Sequence, residues 1–114
     1  MKYSKKSGRQ QLEEWKEAVK KRDGYKCIIC GKAERLNAHH LISERLLITR
    51  YDVMNGVSLC PNHHRLSSVI SAHNGSILFL KWMREHRKEQ LEYVEKIAVR
   101  KAKEFEKKAL ERKD

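Results

Sequence analysis

Asn55-Gly56-Val57-Ser58-Leu59-Cys60-Pro61-Asn62-His63-His64 is the stretch on which the reading of this chain turns. Gly56 to Cys60 reads as a short strand. Pro61 suits the first turn of a following helix, because its ring fixes φ and it has no N–H to leave unpaired. That helix is expected from about Pro61 to Val69. Within the stretch, Cys60-x-x-His63 repeats the spacing of an earlier pair, Cys27-x-x-Cys30. Four soft or borderline ligands in two such pairs suit tetrahedral zinc, and a closed four-ligand site is a structural one. His64 is rotated about 100° from His63 on a helix, so it serves a different site. The competing reading of Cys27-x-x-Cys30 is a redox motif, which would need a thioredoxin-like βαβ context that this sequence lacks.

Outward from the pairs, Tyr25 to Gly31 forms a short knuckle, with Gly31 allowing the tight turn after Cys30. Residues 36–42, containing Ala38-His39-His40-Leu41-Ile42, read as a strand. Successive strand side chains point to opposite faces. His39 and His40 therefore cannot both ligate one ion without distortion; one can hold a metal while the other faces a water. Residues 43–55 connect the two strands, with a helical turn around Arg45 to Ile48. Upstream, Leu12, Trp15, Ala18 and Val19 share one face of a helix over 10–22, which Asp23-Gly24 stops. Downstream, Ser71 to Ser76 is a loop and 77–113 is mostly helical. Its apolar stripe of Leu91, Val94, Ala98, Phe105 and Ala109 is interrupted by Lys101. Trp15 and Trp82 read as core residues, and His86 as a surface residue.

The chain has 114 residues, three cysteines, six histidines and a net charge of +11. That length fits one domain, divided here as a basic arm (1–9), a central domain (10–83) and a charged C-terminal helix (84–114). No apolar run approaches the ~18 residues of a membrane span. The basic start is not followed by the apolar segment of a secretory signal, so an intracellular protein with no membrane partner is expected. Lys2, Lys5, Lys6 and Arg9 make the arm suitable for a polyanion, since phosphate contacts release counterions. A solvated tail is the bland alternative.

The order and spacing of these residues, over about residues 15 to 66, resemble the HNH endonucleases of the ββα-metal, treble-clef (His-Me finger) type. A weaker resemblance to phage-type members covers Ser71-Ala72-His73-Asn74-Gly75 and Phe79 to Trp82. The fold implied is α+β: a small ββα-metal core with structural zinc, flanked by an N-terminal helix and a long C-terminal helix. The implied zinc ligands are Cys27, Cys30, Cys60 and His63. His40 would be the general base, and Asn55 would hold the loop and orient His40. His39 and His64 would bind a catalytic divalent ion, with His73 a further candidate. The sequence departs from the family in two places. His63 stands where many members have a fourth cysteine, and Ser68 stands four residues after His64, where some members carry another metal-binding His.

The activity implied is metal-dependent hydrolysis of DNA phosphodiester bonds, leaving a 5′-phosphate and a 3′-hydroxyl. A neutral imidazole can take a proton from water near neutral pH, and a divalent ion acts as a Lewis acid on the phosphate. Imidazole ligands suit Mn²⁺, Ni²⁺ or Zn²⁺, whereas Mg²⁺ prefers oxygen and keeps its waters. Arg35, Arg45, Arg50 and Arg65 flank the site as DNA-binding candidates. A bacterial or phage-encoded protein in the host cytoplasm fits the resemblance, as does a homodimer or a larger phage or mobile-element complex. Two readings compete: a non-catalytic zinc-dependent nucleic-acid-binding module, and a zinc-stabilised protein-interaction module docking through the C-terminal helix.

Overall fold

In the computed structural model, which describes residues 6–111, the first helix (α1) spans Gly8–Arg22. It starts two residues earlier than its apolar spacing predicts, because Ser7 and Gln10 form a reciprocal capping box. Arg9 is therefore helical, and Lys6 pairs with Glu14 at 2.8 Å. Lys2 and Lys5 lie outside the described residues. The α1 C-terminus turns through Gly24 and Tyr25, both at positive φ. The chain then enters the Cys27–Cys30 knuckle, closed by Gly31 N–H donating to the Cys27 carbonyl at 2.9 Å.

Strand β1 (Asn37–His40) pairs antiparallel with β2 (Gly56–Leu59), with His39 opposite Val57 and His40 opposite Gly56. The first strand is shorter than the 36–42 expected. Beyond His40 the main chain is taken over by Asn55, whose carbonyl accepts from Leu41 N–H and whose side-chain oxygen accepts from Ile42 N–H. The connection then makes successive tight turns, with Leu46, Thr49 and Arg50 N–H groups donating to the carbonyls of Ser43, Leu46 and Leu47.

After β2, the expected helix to Val69 is instead one wide π-helical turn, Asn62–Leu66. The Ser67 N–H donates to the Asn62 carbonyl, and Ser67 itself is extended. The predicted 77–113 helix is two helices, α2 (Ser76–His86) and α3 (Lys88–Glu111), broken at Arg87. Arg87 leaves helical geometry to send its guanidinium to Asp23 and Gln90. No Gly or Pro marks that break, so periodicity alone runs through it.

The result is an α+β fold whose single described sheet has two antiparallel strands. One core joins Cys27, Val57, Leu59, Cys60, Phe79, Met83, Leu91 and Val94. Trp15 and Val19 of α1 press on the β2 start so closely that a Cβ at Gly56 would lie 2.5 Å from the Trp15 ring. Asp23, with a fully buried side chain, ties three elements together. It accepts from Arg22, from Arg87 at the start of α3, and from the Ser58 N–H of β2. No helix among the described residues is long and apolar enough to cross a membrane.

Candidate metal centres and the histidine cleft

Cys27, Cys30, Cys60 and His63 converge, with one ligand atom from each lying within 4.8 Å of all the others. The knuckle reaches β2 because Ile28 N–H donates to the Ser58 carbonyl, while the turn after Cys60 carries His63 back over it. Cys30 and Cys60 Sγ atoms are 3.7 Å apart, and His63 Nδ1 lies 3.7 Å from Cys27 Sγ and 3.3 Å from Cys60 Sγ. A tetrahedral zinc with ordinary bond lengths sets sulfur–sulfur edges of about 3.8 Å and sulfur–nitrogen edges of about 3.6 Å. The donor set and its spacing therefore fit a structural zinc.

The electrostatics favour a thiolate at Cys27 and a neutral ring at His63, but not a thiolate at Cys30. Burial alone pushes the Cys27 thiol up, but backbone N–H groups of Cys30, Cys60 and Ile29 outweigh it and leave Cys27 below its usual range. Such N–H donors are the outer-shell partners a thiolate ligand takes up. Cys30 is raised, by burial and by its two neighbouring sulfurs. Burial and the Lys32 ammonium lower His63, which keeps its ring neutral.

In a second group, His39, His64 and His73, one ring nitrogen from each likewise lies within 4.8 Å of the others. His39 comes from β1 and His64 from the π-helical turn. The loop after that turn brings in the third ring, since Ala72 and His73 N–H groups donate to the His63 and His64 carbonyls. Asn74 Nδ2 fastens the loop to the Arg65 carbonyl, and Gly75 is required because a Cβ there would sit 2.5 Å from the Val69 backbone. His64 and His73 Nε2 atoms are 3.1 Å apart. That separation falls between the nitrogen–nitrogen edges of about 3.0 and 3.4 Å that bonds near 2.1 Å give in octahedral and tetrahedral sites. Burial, then the neighbouring cationic and imidazole groups, push His39 down to about 3 and His64 to about 4. Both rings are neutral near pH 7, the form a metal binds.

His40 points the other way from His39, as strand alternation requires. Its ring stacks on Trp15 with centroids 3.8 Å apart and planes 8° from parallel. His40 Nε2 lies 2.8 Å from the Arg50 carbonyl oxygen. A carbonyl only accepts, so Nε2 carries the proton and Nδ1 keeps the lone pair of the neutral ring. Asn55 makes no hydrogen bond to His40. Its side chain, wholly buried, binds the Ile42 backbone at both N–H and C=O and donates to the Thr49 carbonyl at 3.1 Å. Asn55 thus holds the 42–50 loop whose Arg50 carbonyl holds His40.

A shallow cleft of about 380 Å³ unites His39, His40, His64, His73 and Arg65, with Ser43 and Glu44 on its rim. Arg45 and Arg50 sit on the adjoining loop, where Arg50 Nε donates to the Glu44 carbonyl at 2.7 Å. Arg35 does not line the cleft; it lies before β1 in left-handed backbone. The part played by Trp15 at His40, and by the Arg50 carbonyl, has no sequence signature. Helical spacing marks Trp15 only as core. No family model, no curated protein and no solved structure matches this chain.

Proposed function

We propose that the chain is a metal-dependent DNA endonuclease of the HNH type, with β1, β2 and the following turn forming its ββα-metal, treble-clef finger. The observation that carries this reading is the cleft itself. Three imidazoles converge beside a fourth histidine whose ring is locked by a stack and a carbonyl. A purely structural or binding role for these residues requires no such arrangement.

His39, His64 and His73 would hold the catalytic divalent ion. An all-imidazole set favours Mn²⁺, Ni²⁺ or Zn²⁺ over Mg²⁺. When bound, the ion neutralises phosphate charge and supplies Lewis acidity at the scissile group. His40 Nδ1 accepts a proton from water as the water oxygen bonds to phosphorus. The bond from phosphorus to the 3′-oxygen breaks, and that oxygen takes a proton from solvent. His40 then returns its proton to solvent. Arg65 places a cation on the cleft wall for the phosphate, and Asn55 acts through the loop as a positioning residue.

Purified protein is tested on supercoiled plasmid and on single-stranded, duplex and branched oligonucleotides, with Mg²⁺, Mn²⁺, Ni²⁺ and Zn²⁺ in turn. Ion-dependent nicking that EDTA stops is expected. DNA binding without cleavage in any ion overturns the reading in favour of a non-catalytic module. Absence of DNA affinity even at low salt points instead to protein interaction.

A further inference from the structure

The loop between the two strands carries a feature that phosphodiester chemistry does not use. Leu47 and Ile48 are 71% and 63% exposed, side by side at the tip of the 43–50 segment. Scattered exposed aliphatic residues are ordinary. These two are adjacent, and the backbone beneath them is held fast. Thr49 is buried, its carbonyl is bound by Asn55, and three tight-turn hydrogen bonds brace residues 43–50. Arg45 and Arg50 lie two residues to either side of the pair; Arg45 is exposed, and Arg50 Nε donates to the Glu44 carbonyl. The Arg50 carbonyl is the acceptor that fixes His40, so the tip is rigidly coupled to the cleft.

A rigid tip of two aliphatic side chains between two arginines suits one kind of surface. The exposed Arg45 matches a polyanionic backbone, and the aliphatic pair matches the apolar faces of bases that become accessible when a step opens. Proteins that deform duplex DNA use such apolar wedges from the minor groove, partly unstacking a base step and kinking the helix. A protein partner would match the apolar pair but not the flanking cations or the chain's +11 charge.

We propose that Leu47 and Ile48 form a wedge that enters a base step of duplex DNA from the minor groove, kinking it so that a neighbouring phosphate seats in the histidine cleft. Arg45 contacts the backbone beside the opened step. The inference rests on the DNA-cleavage reading and names its substrate: duplex that is deformable at the bound step, selected by shape and not by base edges.

The test compares the parent with the Leu47→Ser/Ile48→Ser double variant, both zinc-loaded and full length. Both side chains are exposed, so matching thermal melts confirm that the variant folds. A duplex of about three helical turns carries end-labelled fluorophores for bending and a central 2-aminopurine for unstacking. Binding and bending are read in EDTA-free buffer without a catalytic ion; cleavage is read separately with Mn²⁺. The parent is expected to shorten the end-to-end distance and brighten the 2-aminopurine. The double variant should lose both signals and bind intact duplex at least about tenfold more weakly, since the aliphatic burial it loses exceeds the unstacking cost it no longer incurs. A one-nucleotide bulge, which is already unstacked, should restore most of the variant's binding. Equal bending and affinity in parent and variant overturn the wedge and assign the patch to a protein partner. Kinking without cleavage by the parent leaves the wedge standing and defeats the nuclease reading; cleavage with no kinking does the reverse.

Discussion

His40 and Asn55 divide between them what a single side chain would otherwise have to do. The ring of His40 is oriented by a carbonyl and an indole face, and neither group can titrate near neutral pH. Asn55 works at one remove, closing the loop with three hydrogen bonds made entirely to backbone. Removing it leaves several buried backbone groups unsatisfied. Asn55→Ala is therefore expected to cost about 2–4 kcal/mol in denaturant unfolding, whereas His40→Ala, which leaves one half-accessible carbonyl, should cost less than half as much. The contrast is readable in the sequence only in part. Adjacent histidines on a strand predict opposite faces, and the structure places His39 and His40 so. That Asn55 would reach Thr49 and Ile42 but not His40 depends on loop closure, which no residue spacing encodes.

Among the elements, the closest fits are those between α1 and β2. Gly56 is extended, and its need for glycine comes from the Trp15 ring and Val19 pressing on it. Gly56→Ala should destabilise by about 1–3 kcal/mol, the range for an overpacked core, and a thermal melt checks it. Asp23 fastens α1, β2 and α3 at one point. Burial by itself raises its carboxyl, but Arg22, Arg87 and the Ser58 N–H prevail and hold it below the ordinary carboxylate value of 3.8. A depressed folded value stabilises above the unfolded one and is lost as pH falls through it. Asp23→Asn should therefore cost about 2–3 kcal/mol near neutral pH, with the gap to the parent closing below pH 3.8; urea melts at pH 7 and pH 3 measure it. The helix break at Arg87 exists to serve this ion pair, which explains why apolar periodicity over 77–113 missed it. The wide turn at Asn62–Leu66 was hidden for a related reason: Pro61 announces a helix start but says nothing about where Ser67 must leave to let His73 return to His64.

At the scale of the whole molecule, the fold is small and drawn out. Its radius of gyration of 16.2 Å exceeds the about 13 Å of a compact chain this long, because α3 runs about 36 Å and buries residues only in its first turns. With a core this modest, a zinc held by Cys27, Cys30, Cys60 and His63 would supply a large share of the stability. Chelation or Cys60→Ser should abolish the cooperative thermal transition, with zinc restoring it only in the parent chain. The two cysteine pairs were legible from spacing because knuckle geometry is local; the His73 contribution was legible only as a candidate, because it comes from a loop folded back across nine residues.

On the proposed function, His40 activates water in a cleft where three other histidines would hold the ion. Single-turnover cleavage of a labelled duplex with Mn²⁺, comparing the parent with His40→Ala, tests it most directly when Mn²⁺ and DNA affinities are measured on the same samples. His40→Ala is expected to bind both as the parent does yet to cut at least about a hundredfold more slowly. Cleavage by His40→Ala at the parent's rate would contradict it.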